Sequence, residues 1–317
     1  MIAKEEFLKK YNISEDLFRS AEMTWEDLCD IYEDFHGNKH NKYEGILKDF
    51  TETYLEDMNK GREDGEERIK VHSIHSRVKD PEHLIAKIIR KKQENQNKYR
   101  KLNKMNYEKF ITDLIGIRCL ILFKADWKSF HKYIISQFEN EADCYIKDSL
   151  RDFDDDENHF YIAEKPKVHI RNGDARDIYD ELLPPACILD GKVYRSVHYI
   201  IKYKGVYLEI QVRTLFEEGW GEVDHAVIYP YFQNDQVLKE YTELLNRLSG
   251  LADEMGSFFC RLKEMETGNN NSPSDAHEKQ ETLDETKKTG PDHHTSIPVR
   301  KQSINTLNDC LQSVLNE

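Results

Sequence analysis

The sequence is short of several things that would mark it for well-known roles. None of its six cysteines, at 29, 119, 144, 187, 260 and 310, lies in a C-x-x-C pair, and no histidine cluster has zinc-ligand spacing, so neither a zinc module nor a redox dithiol is expected. Scattered thiols suit a reducing compartment, and Cys119, inside an apolar run, reads as a small core residue. No stretch approaches membrane-spanning length: the longest apolar run, around 114–123, contains Arg118 and falls well below the ~20 residues a bilayer requires. Met1-Ile2-Ala3-Lys4-Glu5-Glu6 offers no apolar signal region, and the expectation is a cytoplasmic protein with no membrane partner. Positive charge is also in deficit. With 46 Lys+Arg against 60 Asp+Glu, the formal net charge is −14, which argues against a uniformly basic nucleic-acid binder. There is no internal repeat.

What is present is enough for a sizeable core. The 317 residues, 38 % apolar and 33 % charged, fit one enzyme domain with appendages, since domains hold roughly 100–200 residues. The charge is uneven. Between residues 68 and 104, twelve Lys/Arg meet only Asp80, Glu82 and Glu94. A cationic island in an acidic chain suits a polyphosphate ligand. Composition alone is equally served by a solvated helix face.

Residues 1–62 read as a helical N-terminal extension, with Ser14 and Thr24 as N-caps. Within it, Ile46, Leu47, Phe50, Tyr54, Leu55 and Met58 share one helical stripe over 43–60. The central unit, 63–266, mixes helical and strand periods. Residues 81–93 form a helix opened by Pro81, 115–123 a buried strand and 127–138 a helix. The acidic run Asp152, Asp154, Asp155, Asp156, Glu157 lacks the Gly and the terminal Glu of a calcium loop and reads as solvated. The clearest strand signal is 196–213, where two alternating runs flank a Lys204-Gly205 turn. Period two puts Val197, Tyr199, Ile201, Leu208, Ile210 and Val212 on one face and Ser196, His198, Glu209, Gln211 and Arg213 on the other. Residues 235–265 form a long amphipathic helix for core packing or for a homo-oligomer. Residues 267–300 are expected to be a disordered linker. In 301–317, Ile304, Leu307, Leu311, Val314 and Leu315 align as a short amphipathic helix that docks on its own domain or a partner, or frays.

Three segments carry chemistry. Ser76-Arg77-Val78-Lys79-Asp80-Pro81-Glu82-His83 leads into Lys87 and Arg90, and positions 83, 87 and 90 fall on one helix face that can hold phosphates. Asp113-Leu114-Ile115-Gly116-Ile117-Arg118 brings an acid into a buried strand, which calls for a cation, either a paired side chain or a metal. Tyr194-Arg195-Ser196-Val197-His198 precedes Glu209-Ile210-Gln211-Val212-Arg213-Thr214, and Trp220 and Asp224-His225 follow.

Together, in this order and spacing, these segments resemble the synthetase domain of the RelA/SpoT alarmone family over roughly 63–232. The resemblance implies an α+β fold: a nucleotidyltransferase-like mixed β-sheet flanked by helices, here with helical N- and C-terminal extensions. It implies transfer of pyrophosphate from ATP to the 3′-hydroxyl of GTP or GDP with the help of Mg²⁺. By resemblance, Asp113 and Glu209 are the catalytic and metal-facing acids. Arg77 and Arg118 sandwich the adenine of ATP, while Lys79, His83, Lys87 and Arg90 contact its phosphates. Tyr194, His198, Gln211 and Asp224 serve the acceptor nucleotide. Val193 stands where the family has Gly, and Asp224 where it has Glu. No His-Asp dipeptide occurs, so the alarmone hydrolase of the long members is not expected. Two other readings stay open: a toxin-like relative acting on an adenine nucleotide or a tRNA 3′ end, and an inactive binding module. Retention of Asp113 and Glu209 speaks against the last.

Overall fold

Lys204 and Gly205 both adopt positive φ, 45° and 77°, which is the backbone twist that a two-residue hairpin turn needs. They join the two longest strands of a seven-stranded sheet. The computed structural model describes residues 1–56, 58, 69–138, 158, 160–224, 226 and 236–269. In chain order the main elements are α1 (Lys4–Lys10), α2 (Glu15–Ser20), α3 (Trp25–Glu33), α4 (His40–Phe50), β1 (Ser73–Val78), α5 (Pro81–Glu94), α6 (Gln96–Tyr99), α7 (Tyr107–Phe110), β2 (Ile115–Ile121), α8 (Trp127–Gln137), β3 (Tyr161–Ile162), β4 (Lys167–His169), α9 (Asp177–Asp180), β5 (Ile188–Leu189), β6 (Ser196–Tyr203), β7 (Val206–Thr214), α10 (Leu215–Val223) and α11 (Gln236–Asn269).

The sheet is mixed. Its order is β1-β2-β7-β6-β4-β5, and β3 pairs with β6. β2 runs parallel to β7 and β4 parallel to β5; the remaining pairs are antiparallel. The α+β architecture expected from the sequence is therefore present, a mixed sheet flanked by helices. The stripe expected over 43–60 is helical through α4 and then widens into a π-helical turn at Thr51–Leu55.

Register fixes what each face carries. Ile117 lies opposite Ile210, Cys119 opposite Val212, and Tyr199 opposite Ile210. These apolar residues join Phe7, Leu28, Ile31, Phe50, Ile88 and Phe130 in one continuous core, so the N-terminal helices are built into the same body as the sheet. Cys119 is fully buried, and burial pushes its thiol up to about 12. Tyr199 is also inside, its hydroxyl bonded by Trp127 Nε1 at 2.9 Å and by His131 Nδ1 at 3.1 Å. Burial lowers His131 to about 4, so it sits there neutral.

Residues Met1–Asn270 form one compact unit. The linker expected over 267–300 starts late, because residues 267–269 still belong to α11; the rest of it, the acidic run at 152–157 and the amphipathic segment at 301–317 lie outside the described residues. Among the described residues no helix is long and apolar enough to cross a membrane.

Candidate functional site

The other face of the sheet is a grid of polar side chains. On one rung, Arg77 lies opposite Gly116, and Gly116 opposite Glu209. On the next, His75, Arg118, Gln211, His198 and Lys167 follow one another across β1, β2, β7, β6 and β4. Directly opposed residues point to the same side of a sheet, so four strands deliver Arg77, Arg118, Glu209, Gln211 and His198 to one surface. Gly116 leaves a gap in it: a Cβ at that position would meet nothing within 4 Å.

Glu209 is held from two directions. His198 Nδ1 lies 3.1 Å from Oε1, and Gln211 Nε2 donates to Oε2 at 2.8 Å. Burial alone would raise this carboxyl, and the nearby Asp113 charge pushes the same way. The hydrogen bonds and the His198 ring prevail and keep it below the usual range. Gln211 cannot rotate freely, because Arg213 Nη2 bonds its Oε1 at 2.7 Å. Arg213 is anchored by Glu218 at 3.1 Å. Glu218 and Glu222, one turn apart on α10, also bind Arg118 at 2.8 and 2.6 Å. Thr214 ends β7 and caps α10 through its hydroxyl, so strand and helix are joined directly and the two acids are aimed back at the sheet.

Asp113 stands just before β2. Its Oδ2 is shared between Lys79 at 2.7 Å and Lys87 at 2.6 Å. Burial would raise the carboxyl, but the two ammoniums outweigh it and hold it down at about 2. Lys79 is itself lowered, by burial first and by Lys87 beside it, although Asp113 holds it up. The Asp113 shift follows from one carboxylate sitting between two ammoniums, which leaves the trio with a net positive charge. Asp113 Oδ1 is buried and has no hydrogen-bond partner. Lys79 is fixed by its own backbone, which donates to Leu114 O at 2.8 Å. Lys87 reaches in from α5, whose first turn is set by Pro81 and by the Asp80 side chain accepting from His83 N.

The phosphate-binding face expected along 83, 87 and 90 is divided in the structure. Lys87 turns to Asp113. Arg90 instead bonds the Tyr11 carbonyl at 2.8 Å, and the His83 ring meets the Tyr11 ring edge-on at 5.3 Å. The cause is the end of α1: Tyr11 lies across this part of α5 and binds Glu82 through its hydroxyl at 3.0 Å.

Tyr194 is half-buried in a stack of rings, 5.1 Å from His169 and 6.1 Å from His198. Burial, helped by neighbouring cations, depresses His169 to about 4. A neutral ring with an unpartnered buried Nδ1 therefore lies beside Tyr194. The loop carrying Tyr194 is braced from behind. Val193 O accepts from Arg171 Nε at 2.9 Å and from Asn246 Nδ2 at 2.6 Å. Glu217, almost fully buried, takes two bonds from Arg171 and one from the Arg195 backbone. Asp224 caps the C-terminal end of α10; its neighbour His225 is outside the described residues.

Of the residues singled out from sequence, Arg77, Lys79, Lys87, Asp113, Arg118, His198, Glu209 and Gln211 converge on the sheet face and its β1–α5 edge. Tyr194 joins them through its stack on His198. Sequence reasoning missed His169, Arg171 and Glu217. His169 lies in a strand of only three residues, and the bonds from Arg171 to Glu217 span 46 positions of chain.

The fit to Mg²⁺ rests on Asp113 and Glu209. Mg²⁺ is usually held by one or two carboxylates and completed by substrate phosphates and water. Among the described residues no group of three or more His, Cys, Asp or Glu forms a metal cage. An ionised Asp113 with one buried, unpartnered oxygen, near a second carboxylate, has the donor chemistry of such a half-built site.

The family described as the region found in RelA / SpoT proteins matches residues 76–234. No curated protein matches the chain. Among solved structures the chain is similar to a GTP pyrophosphokinase family protein from Streptococcus pneumoniae, at 20 % identity over 79 % of this chain and 100 % of that one, with a TM-score of 0.42. It is similar to small alarmone synthetase 2 from Bacillus subtilis at 20 % identity over 72 % and 98 %, TM-score 0.43. Small alarmone synthetase 1 from the same organism, bound to its product pppGpp, matches at 18 % identity over 76 % and 97 %, TM-score 0.39.

Proposed function

The chain belongs to the RelA/SpoT family, whose characteristic region covers residues 76–234, and from that premise we propose that it is an alarmone synthetase: it moves the pyrophosphoryl group of ATP to the 3′-hydroxyl of GTP or GDP and releases AMP. The hydroxyl oxygen attacks the β-phosphorus, the bond from that phosphorus to the α–β bridging oxygen breaks, and the hydroxyl proton passes to Glu209. The observation that carries this reading is the pairing of Glu209, fixed by His198 and Gln211, with the Asp113–Lys79–Lys87 trio close enough to influence its charge.

Such a transfer needs positioning and charge stabilisation more than covalent help. Glu209 is ionised and held by two donors, so it is ready to accept a proton; a positioned base contributes roughly 10²–10⁴-fold. Lys79 and Lys87 share a single carboxylate, and incoming phosphates would draw them off Asp113. That exchange would free the Asp113 carboxylate for Mg²⁺. When bound, Mg²⁺ supplies neutralisation of the phosphate oxygens and fixes their geometry. Arg77 and Arg118 stand on neighbouring rungs of one face, and in this reading they take the two sides of the adenine ring, Arg118 held in place by Glu218 and Glu222. Tyr194 offers its ring to the guanine, and the Glu217 brace holds its loop.

The test is to incubate the full-length protein with Mg²⁺, β-labelled ATP and, in turn, GDP, GTP, ATP or tRNA. Label transfer to GDP or GTP supports the proposal. Transfer only to ATP or tRNA would make the chain a toxin-like relative using the same donor site. No transfer to any acceptor would make it a binding module.

A further inference from the structure

Helix α11 is mounted with its polar side inward. Asn246, Ser249 and Asp253 are buried against the domain, and the Thr242 carbonyl accepts the Trp220 indole N–H. The outward side is apolar. Val237, Leu244, Leu251, Phe258 and Met265 recur every seven residues, and Tyr241, Leu248, Met255 and Leu262 recur every seven between them. All nine are 41–68 % exposed. The steps alternate four and three, an average of 3.5, so for roughly 42 Å along the axis the stripe keeps to the seam of a left-handed coiled coil. A 3.6 period would drift around the helix instead. An apolar strip of this length is far larger than a lone chain normally leaves in water, and a 3.5-residue seam is matched by another helix.

We propose that α11 pairs with α11 of a second copy of this chain, antiparallel, about a two-fold axis that crosses the outward seam between Leu248 and Leu251. The charges along one flank identify the partner. Immediately before Tyr241, Leu248, Met255 and Leu262 stand Glu240, Arg247, Glu254 and Arg261, alternating in sign every seven residues. In an antiparallel pair the two copies of this row run side by side. Glu240 then lies opposite Arg261 of the second copy, and Arg247 opposite Glu254, so all four contacts are between unlike charges. In the seam, Leu248 packs on Leu251 of the second copy, Met255 on Leu244 and Tyr241 on Phe258. The other flank, Leu245, Ala252 and Phe259, is uncharged and widens the contact. A parallel pair would set the charged row against that apolar flank and lose every ion pair. The chain's own aliphatics at 304–315 span twelve residues, less than half of the stripe, and cannot cover nine positions.

Sedimentation equilibrium of the full-length chain tests this. The wild type should have twice the chain mass of 37.6 kDa. Leu251→Glu, at a position already exposed in the single chain, should give a folded protein of single-chain mass. Arg247→Glu should weaken the dimer Kd by about tenfold, and adding Glu254→Arg to it should restore the Kd, because in the antiparallel register these two positions face each other. A wild type of single-chain mass would overturn the proposal and leave the face to another segment or partner. So would a dimer that survives Leu251→Glu, or a double variant no tighter than the single one.

Discussion

Gly116 gives a perturbation in which stability and activity should move in opposite directions. It sits mid-strand in β2, between Arg77 and Glu209 on the polar rung. Glycine inside a strand normally costs ~0.5–1 kcal/mol relative to alanine, and β-branched residues suit a strand better still. A Cβ here would meet no atom within 4 Å. Gly116→Val should therefore fold and gain about 0.5–1 kcal/mol, a rise in Tm of a few degrees. Its methyls would fill the gap between the arginine proposed to hold adenine and the carboxylate proposed to take the proton. Displacing reacting groups by about 1 Å costs on the order of a hundredfold, so single-turnover transfer should fall by that factor or more. The assay pairs calorimetry with quenched-flow transfer of label from ATP. A variant that is stable and fully active would refute the assignment of this gap to the reacting groups. A variant that fails to fold would refute the reading of open space.

Glu209→Gln and Asp113→Asn should each abolish measurable transfer while the circular dichroism spectrum is retained; near-normal turnover in both would sink the mechanism. Arg77→Ala should raise KM for ATP, and Tyr194→Ala KM for the acceptor, by roughly 5- to 150-fold, the worth of about 1–3 kcal/mol of stacking; an effect of Tyr194→Ala on ATP alone would contradict the division into donor and acceptor halves. Asp113 should also shape acid stability. Its folded pKa, about 2, lies below the ordinary value of 3.8, so the stability it contributes is present above about pH 4 and is lost as pH falls toward 2. The shift corresponds to about 2 kcal/mol. Denaturant melts at pH 5 and pH 2 should show that part of the wild-type loss missing in Asp113→Asn, and equal losses in the two proteins would refute it.

The parts of the fold legible in sequence were those with strong local period. The β6–β7 hairpin, its Lys204-Gly205 turn and the split of its faces follow directly from alternation, because strand geometry sends neighbours to opposite sides. Helix α5 was readable from Pro81 and its aliphatic stripe. Strands β3, β4 and β5 have two or three residues each; they exist because β6 offers an edge, and no local pattern marks them. Of the site, the acids and bases inside the three motifs could be named, but not their partners. Nothing in the sequence shows that Tyr11 would take the Arg90 guanidinium from 79 positions away. Helix α11 was recognisable as amphipathic, yet its sequence does not say which side faces in. That was decided by the buried bonds of Asn246 and Trp220.

The central claim is that Asp113 and Glu209 serve one reaction, in which an intact pyrophosphoryl group leaves ATP for a nucleotide 3′-hydroxyl. ³¹P NMR of the products formed from ATP and GDP or GTP in the presence of Mg²⁺ tests it most directly. The account predicts a new diphosphate on the 3′ position of the guanine nucleotide, AMP in equal amount, and neither product with Glu209→Gln. Formation of ADP, or of AMP with free pyrophosphate and an unmodified acceptor, would contradict it.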